Sequence, residues 1–174
     1  MNNNFTRVLL SVAFILLATT AHADTIMGRV VGIADGDTLT LLDATNTQHK
    51  VRLSGIDSPE KKQPFGQHCK QSLSDLAYGR TVAVASSKLD RYGRVIGKVL
   101  VDGEDANLEQ IRRGCGWHYK RYMNEQPLDD RLAYNAAEES ARAGRVGLWA
   151  DRDPVAPWEW RKARRQSVTV RSSD

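Results

Sequence analysis

Short runs of apolar and β-branched residues recur along the chain and end at turn-forming residues. Three of these runs predict strands over residues 25–34, 38–42 and 49–56, joined by short polar turns. Two later runs, residues 81–86 and 95–101, predict two further strands. The pattern therefore predicts five short strands in two groups.

A second pattern, with apolar residues three and four positions apart, predicts three helices. The first contains Leu73, Leu76 and Ala77 and ends near Gly79. The other two cover residues 106–113 and 128–143, and a glycine follows each. Helices inserted among short strands favour an α+β domain, and we predict a five-stranded β-barrel of the oligonucleotide-binding (OB) type with three α-helices.

The first 23 residues have the features of an export signal. Arg7 precedes an apolar run over residues 8–18, and Ala21-His22-Ala23 forms a small-x-small cleavage pattern. The apolar run is too short for the roughly 20 residues that span a bilayer. We predict a signal peptide over residues 1–23 and a periplasmic or secreted mature protein that leaves the membrane after cleavage. An uncleaved anchor or a buried N-terminal helix is the alternative.

Composition limits the class of protein. The 174 residues are 41% hydrophobic and 26% charged, which excludes collagen, coiled-coil rods and low-complexity chains. No repeat or linker divides residues 24–150, which we predict to form one domain and expect to be monomeric. The formal charge of +4 is compatible with an anionic partner such as nucleic acid but does not require one.

Residues 151–174 differ in character from the predicted domain. Trp158 and Trp160 precede the basic run Arg161-Lys162-Ala163-Arg164-Arg165. Such a segment could bind a phosphate backbone and stack on bases. Alternatively, it is a solvated tail whose tryptophans pack on the domain. Residues 166–174 are polar, and we expect them to be frayed.

Three carboxylates stand in turns near predicted strand ends. Asp37 lies in Asp-Gly-Asp-Thr, and Asp57 and Glu60 lie in Asp-Ser-Pro-Glu. Calcium binds hard oxygen ligands on loops, so two carboxylates, a backbone carbonyl and waters would hold it and leave room for a substrate oxygen. In the alternative interpretation these acids only cap backbone groups of a turn and of a helix start.

Two arginines favour the first interpretation. Strand alternation places Val51 and Leu53 on one face and Arg52 on the other with Ser54 and Ile56, so that Arg52 can lie near Asp57. Arg94 follows a turn and leads into the next strand. One guanidinium group can donate two parallel hydrogen bonds to two phosphate oxygens. Negative charge builds on those oxygens when water attacks a phosphodiester. Surface ion pairs are the alternative for either arginine alone.

Taken together, these motifs resemble the thermonuclease, or staphylococcal nuclease-like, family over about residues 26–149. The resemblance rests on Asp35-Gly36-Asp37-Thr38, Val51-Arg52-Leu53-Ser54-Gly55-Ile56-Asp57-Ser58-Pro59-Glu60, Asp90-Arg91-Tyr92-Gly93-Arg94 and Gly147-Leu148-Trp149. It implies a five-stranded barrel with three helices and calcium-dependent hydrolysis of DNA and RNA. It also implies a preference for single-stranded or flexible regions and products with 3′-phosphate ends.

The resemblance assigns roles to individual residues. Asp37 and Asp57 would be calcium ligands, with the carbonyl of Ser58 beside them; a threonine is often found at the position of Ser58. Glu60 would be the general base or the acid that orients the attacking water. The scissile phosphate would be held by Arg52 and Arg94.

Aromatic residues are the candidates for nucleotide binding. In family members, tyrosines after the second helix line the nucleotide-binding pocket. Tyr119 and Tyr122 are the candidates in this chain, together with Tyr92 in the turn before Arg94. Trp117 could stack on a base or pack in the core. We expect His118 to be a packing or surface residue, because the implied mechanism has no role for it.

Two questions stay open at the level of sequence. Cys69 and Cys115 could form a disulfide between the first helix and the end of the second, or they could be two buried free thiols.

The protein could also be a noncatalytic OB-type barrel that binds nucleic acid or another polyanion, or a protein-interaction module. The complete set of three acids and two arginines favours the enzyme.

Overall fold

Within residues 24–171, which this computed structural model describes, the backbone forms eight strands and four α-helices. The strands are β1 (Asp24–Ile33), β2 (Thr38–Asp43), β3 (Gln48–Leu53), β4 (Ile56–Asp57), β5 (Thr81–Leu89), β6 (Val95–Val101), β7 (Glu104–Asp105) and β8 (Trp117–His118). The helices are α1 (Gly66–Ala77), α2 (Ala106–Arg112), α3 (Leu128–Ala143) and α4 (Pro157–Arg171), and short 3₁₀ helices cover Lys120–Glu125 and Gly147–Ala150.

The five long strands close into a barrel. β1 pairs antiparallel with β2 and β5, β2 pairs with β3, and β5 pairs with β6. The barrel closes through a parallel pairing of β3 with β6, in which Val51 lies opposite Val95. This confirms the predicted α+β fold with a five-stranded OB-type barrel.

The barrel interior is filled by the apolar residues that alternate along its strands. In β6, for example, Val95, Val99 and Val101 are buried. Helices α1, α2 and α3 add side chains to this core, namely Leu73, Ala77, Ile111 and Tyr134. Alternating burial holds the barrel strands in register, because a shift by one residue would expose every core residue of a strand.

One detail of the strand prediction is wrong. Ile56 was expected to share the outer face with Arg52, but it is buried in the core with Val51 and Leu53. The reason is that β3 ends at Leu53, and the following turn contains Gly55 at φ +73°. This turn breaks the alternation and sends Ile56 back toward the interior.

The three predicted helices are present, and α4 is an additional one. It lies in the segment predicted to be a tail and extends to Arg171, through most of the stretch expected to be frayed. Pro157 at its first position and the helix-favouring residues of the basic run explain why it forms. Trp158 packs against Trp117, with 5.6 Å between ring centroids, as the second interpretation of the tail expected.

Cys69 and Cys115 are both buried, and both are free. The two thiols lie next to each other, and the hydrogen bond with Cys115, together with burial, raises the pKa of Cys69. Of the two alternatives left by the sequence, the structure therefore contains the free thiols and not the disulfide.

The predicted signal peptide, residues 1–23, lies outside the described residues. Among the helices of residues 24–171, none has the length and apolar character that crossing a bilayer requires.

Candidate active site

Arg52, near the end of β3, joins two buried carboxylates. One terminal nitrogen, Nη1, donates a hydrogen bond to Asp37 Oδ1 at 2.9 Å, and the other, Nη2, donates to Asp57 Oδ1 at 2.8 Å. Asp37 is 2% exposed and Asp57 is fully buried. Strand alternation predicted that Arg52 would lie near Asp57, and the structure adds that the same guanidinium also holds Asp37.

The chain brings these acids together through backbone contacts. The carbonyl of Asp37 accepts a hydrogen bond from Leu53 N–H at 2.8 Å, and its carboxylate Oδ2 accepts one from Ser58 N–H at 2.9 Å. Asp57 is fixed from the other side, because β4 pairs with β8 and places Asp57 opposite Trp117. The predicted metal-binding residues Asp37, Asp57 and Ser58 are therefore adjacent.

The environment of this cluster shifts the pKa values of Asp35 and Arg52. Burial and the negative charge of Asp37 raise the pKa of Asp35 to about 7, so Asp35 is partly neutral at neutral pH. Burial alone would lower the pKa of Arg52, but Asp37 and Asp57 outweigh burial and raise it. Arg52 is therefore always charged, and it neutralises one of the buried acids.

Glu60 lies in the tight loop before α1, at the edge of this cluster. Its backbone N–H donates to Gln63 Oε1 at 3.1 Å, and its carbonyl accepts from Gln63 N–H at 2.8 Å. A Cβ at Gly66 would lie 2.1 Å from the Glu60 carbonyl oxygen, so only glycine fits there. The Glu60 side chain is 37% exposed, which lets water and substrate reach its carboxylate.

Arg161, from α4, is a site residue that the sequence analysis did not identify. Its Nη2 donates to Asp57 Oδ2 at 2.7 Å, and its Nη1 donates to Asp57 Oδ1 at 3.1 Å and to Glu60 Oε1 at 2.7 Å. The two interpretations of the basic run were a segment that binds a phosphate backbone and a solvated tail, and neither placed Arg161 in the site. The signal that could have singled out Arg161 is its spacing of three residues from Trp158, which places both on one face of a helix.

Arg94 lies on the same outer face of the barrel as Arg52 but pairs with a different acid. Val51 and Val95 are opposite each other and both buried, so their neighbours Arg52 and Arg94 point outward. Arg94 Nε donates to Asp90 Oδ2 at 2.7 Å. Burial alone would raise the pKa of Asp90, but hydrogen bonds from the backbone and side chain of Arg94 lower it.

The three candidate tyrosines lie in two places. Tyr92 is 67% exposed in the turn before Arg94, whose guanidinium lies 5.6 Å from its ring centroid. Tyr119 and Tyr122 are together, with ring centroids 5.3 Å apart, and Tyr122 is 45% exposed. Tyr119 is also stacked on Trp158 of α4, with 5.4 Å between centroids. Tyr92 and Tyr122 are therefore exposed to solvent, and cationic side chains lie over both rings.

The residues next to Tyr119 pack in the interior. Trp117 is buried against Trp149 with ring centroids 4.3 Å apart. His118 is buried as well, and its Nε2 is hydrogen bonded to Gln126 Oε1 at 2.9 Å. The structure thus gives Trp117 and His118 packing positions.

The oxygen atoms of the cluster suit a hard divalent cation. Carboxylate oxygens such as those of Asp37 and Asp57 are the ligand type that calcium prefers. In residues 24–171, no three His, Cys, Asp or Glu side chains converge in a ready metal-binding arrangement. Instead, guanidinium groups hold the acids: Arg52 binds Asp37 and Asp57, and Arg161 binds Asp57 and Glu60.

Comparison with known proteins shows that nucleases are among the relatives of this chain. Residues 50–151 match the family model described as staphylococcal nuclease homologue. A Haemophilus influenzae protein named uncharacterized endonuclease is 46% identical over 134 residues, which are 77% of this chain and 72% of that protein. The micrococcal nuclease of Shigella flexneri is 34% identical over 171 residues, covering 93% of this chain and 95% of that protein. Protein ParB of Escherichia coli is 35% identical over 165 residues, which are 90% of this chain and 90% of that protein.

The matched segment contains Arg52, Asp57, Glu60 and Arg94, and the similarity to the full-length relatives extends over most of the chain. The closed barrel is the fold that the resemblance implied. The chain is therefore a nuclease that belongs to the staphylococcal nuclease family.

Proposed function

We propose that this nuclease hydrolyses phosphodiester bonds of DNA and RNA in a calcium-dependent reaction. It would prefer single-stranded or flexible regions and leave 3′-phosphate ends. The observation that carries the proposal is the arrangement of Arg52 between Asp37 and Asp57 with Glu60 at the solvent edge. A fixed positive charge for the phosphate and a reachable carboxylate for the water thus lie side by side.

The residues of the chain divide the chemistry between them. Arg52, in β3, and Arg94, directly before β6, would bind nonbridging phosphate oxygens, where negative charge grows as water attacks. Glu60 would accept the proton of the attacking water or orient that water. The new P–O bond forms as the bond from phosphorus to the 5′-oxygen breaks, and the leaving oxygen takes up a proton. The products are a 3′-phosphate and a 5′-hydroxyl.

The same cluster would hold the metal ion. Asp37 and Asp57 supply carboxylate oxygens, and the carbonyl of Ser58 would be a third ligand. A bound calcium ion would polarise the phosphoryl group. The proposal for calcium rests on this donor set and on the resemblance to the family.

The preference for flexible strands is supported by the exposed aromatic rings. Tyr92 and Tyr122 can stack only on bases that are not already stacked within a duplex. Stacking accepts any base, so little sequence preference is expected.

Digestion of heat-denatured DNA by the mature protein, residues 24–174, tests this function. Cleavage is expected with calcium and not with excess chelator, since the carboxylates then lack their cation. End-labelled oligonucleotides would show whether the products carry 3′-phosphates. Cleavage that persists in chelator would contradict the calcium requirement. Folded protein that binds DNA but does not cleave it under either condition would support the noncatalytic barrel.

We also propose that residues 1–23 direct export and are removed after Ala23. Arg7, the apolar run and Ala21-His22-Ala23 support this proposal. Expression of the full chain in a Gram-negative bacterium should give a periplasmic or secreted protein whose intact mass begins at Asp24. Ala21→Arg should accumulate the precursor, because cleavage requires small residues at this position. An uncleaved, cytoplasmic wild-type chain would contradict export.

A further inference from the structure

The guanidinium of Arg161 lies between the two acids that the proposed reaction needs most. It holds both oxygens of Asp57, and the nitrogen Nη1 that donates to Asp57 Oδ1 also donates to Glu60 Oε1 at 2.7 Å. We propose that Arg161 competes with the calcium ion for these acids and thereby sets the calcium concentration at which the enzyme becomes active. This inference rests on the proposed calcium-dependent function.

The position of Arg161 is built into the fold. The segment before α4 is tied to the Glu60 loop, because Gln63 Nε2 donates to the carbonyl of Val155 at 2.6 Å. One turn before Arg161, Trp158 stacks on Tyr119 and packs against Trp117. These contacts fix the start of α4 beside the acids.

Charge balance explains why the arginine and the ion would compete. The acids in contact with Arg52 or Arg161, namely Asp37, Asp57 and Glu60, bring three negative charges, and Arg52 neutralises one of them. The two that remain match a divalent cation. The ion pairs of Arg161 with Asp57 and Glu60 reduce them to one, so calcium binds a less negative site while Arg161 is in place.

Arg161 also binds one oxygen of the carboxylate that would act on water. The hydrogen bond from its Nη1 is directed at Glu60 Oε1, where a water molecule would have to donate instead. The side chain of Arg161 is 32% exposed, whereas Asp57 is fully buried. Arg161 is therefore the partner that can move toward solvent when a cation takes its place.

The test is the affinity of the purified mature protein for calcium, measured by titration calorimetry without nucleic acid. Arg161→Met keeps most of the side-chain volume but removes the charge, and we expect calcium to bind about tenfold more tightly or better. Arg161→Lys keeps a charge that cannot bridge both acids, and its affinity should lie between the two. Arg80→Gln is the matched control, because Arg80 also pairs with an aspartate, Asp102, but on the exposed surface.

Two further measurements connect affinity to function and folding. The calcium concentration that gives half-maximal cleavage of denatured DNA should fall in Arg161→Met by the same factor as the dissociation constant. Calcium should also raise the melting temperature of Arg161→Met more than that of the wild type, because binding stabilises the folded state in proportion to affinity. Melting curves without calcium would show that the variants are folded.

The outcomes separate this inference from the function on which it rests. Tighter binding in Arg161→Met, with Arg80→Gln unchanged, would support competition. Equal or weaker binding in both Arg161 variants, while the wild type binds calcium and cleaves DNA, would overturn the competition and leave the function intact. Failure of all variants to bind calcium or to need it for cleavage would overturn the proposed function and this inference together.

Discussion

Glu60→Gln is expected to lower the rate of phosphodiester hydrolysis by about 100-fold or more, since positioned acids and bases typically contribute 10²–10⁴-fold. Glutamine has the size of glutamate but cannot take up a proton from water. It also removes the negative charge that would orient the water toward phosphorus. Initial rates on denatured DNA at saturating calcium would measure the loss.

The structure predicts that this variant keeps its fold. Glu60 is 37% exposed, and its contacts with Gln63 and Gly66 are made by backbone atoms that the substitution leaves in place. Its side-chain ion pair with Arg161 would become a neutral hydrogen bond, while Arg161 stays paired with Asp57. We expect the free energy of unfolding to change by less than about 1 kcal/mol, as for other partly exposed positions. Glu139→Gln, on the exposed side of α3, is the control and should have wild-type activity. A Glu60→Gln enzyme within tenfold of the wild-type rate would contradict the assigned role.

The strands of the barrel were predictable because each is marked by residues close together in the sequence. Strand alternation and turn residues mark each strand within about ten positions, and the motif from Val51 to Glu60 places Arg52 and Asp57 only five residues apart. The predicted position of Arg52 near Asp57 depended on that short spacing. The error at Ile56 came from the same source, because strict alternation was continued through a turn that reverses it.

The contribution of α4 to the site could not be predicted from residues close together in the sequence. Arg161 and Asp57 are 104 residues apart along the chain, and no spacing rule connects them. The tail showed a basic run and tryptophans, features shared by solvated segments and nucleic-acid-binding segments. Only the packing of Trp158 on Tyr119 and Trp117 fixes where α4 begins and therefore which acids its first arginine reaches.

Arg52→Met is expected to have the largest effect on stability as well as a large effect on activity. The substitution removes the guanidinium that pairs with Asp37, which is 2% exposed, and with Asp57, which is fully buried. Removing one partner of a buried ion pair costs about 3–5 kcal/mol, because the other charge stays buried without compensation. Here the uncompensated charge is that of Asp37, since Asp57 keeps its ion pair with Arg161. The urea concentration at the midpoint of unfolding should fall accordingly, and cleavage of DNA should be lost because a phosphate-binding charge is gone.

A double-mutant cycle separates the ion pair from simple loss of packing. Asp37→Asn removes the charge that Arg52→Met leaves unpaired, so the double variant should be destabilised by less than the sum of the two single changes. Arg52→Lys should lie between wild type and Arg52→Met, since one ammonium group cannot donate to Asp37 and Asp57 along the two directions that the guanidinium uses. Strictly additive changes in unfolding free energy would contradict the bridging role. Arg52 would then act only on the substrate, because no stabilising interaction would link it to the charge of Asp37.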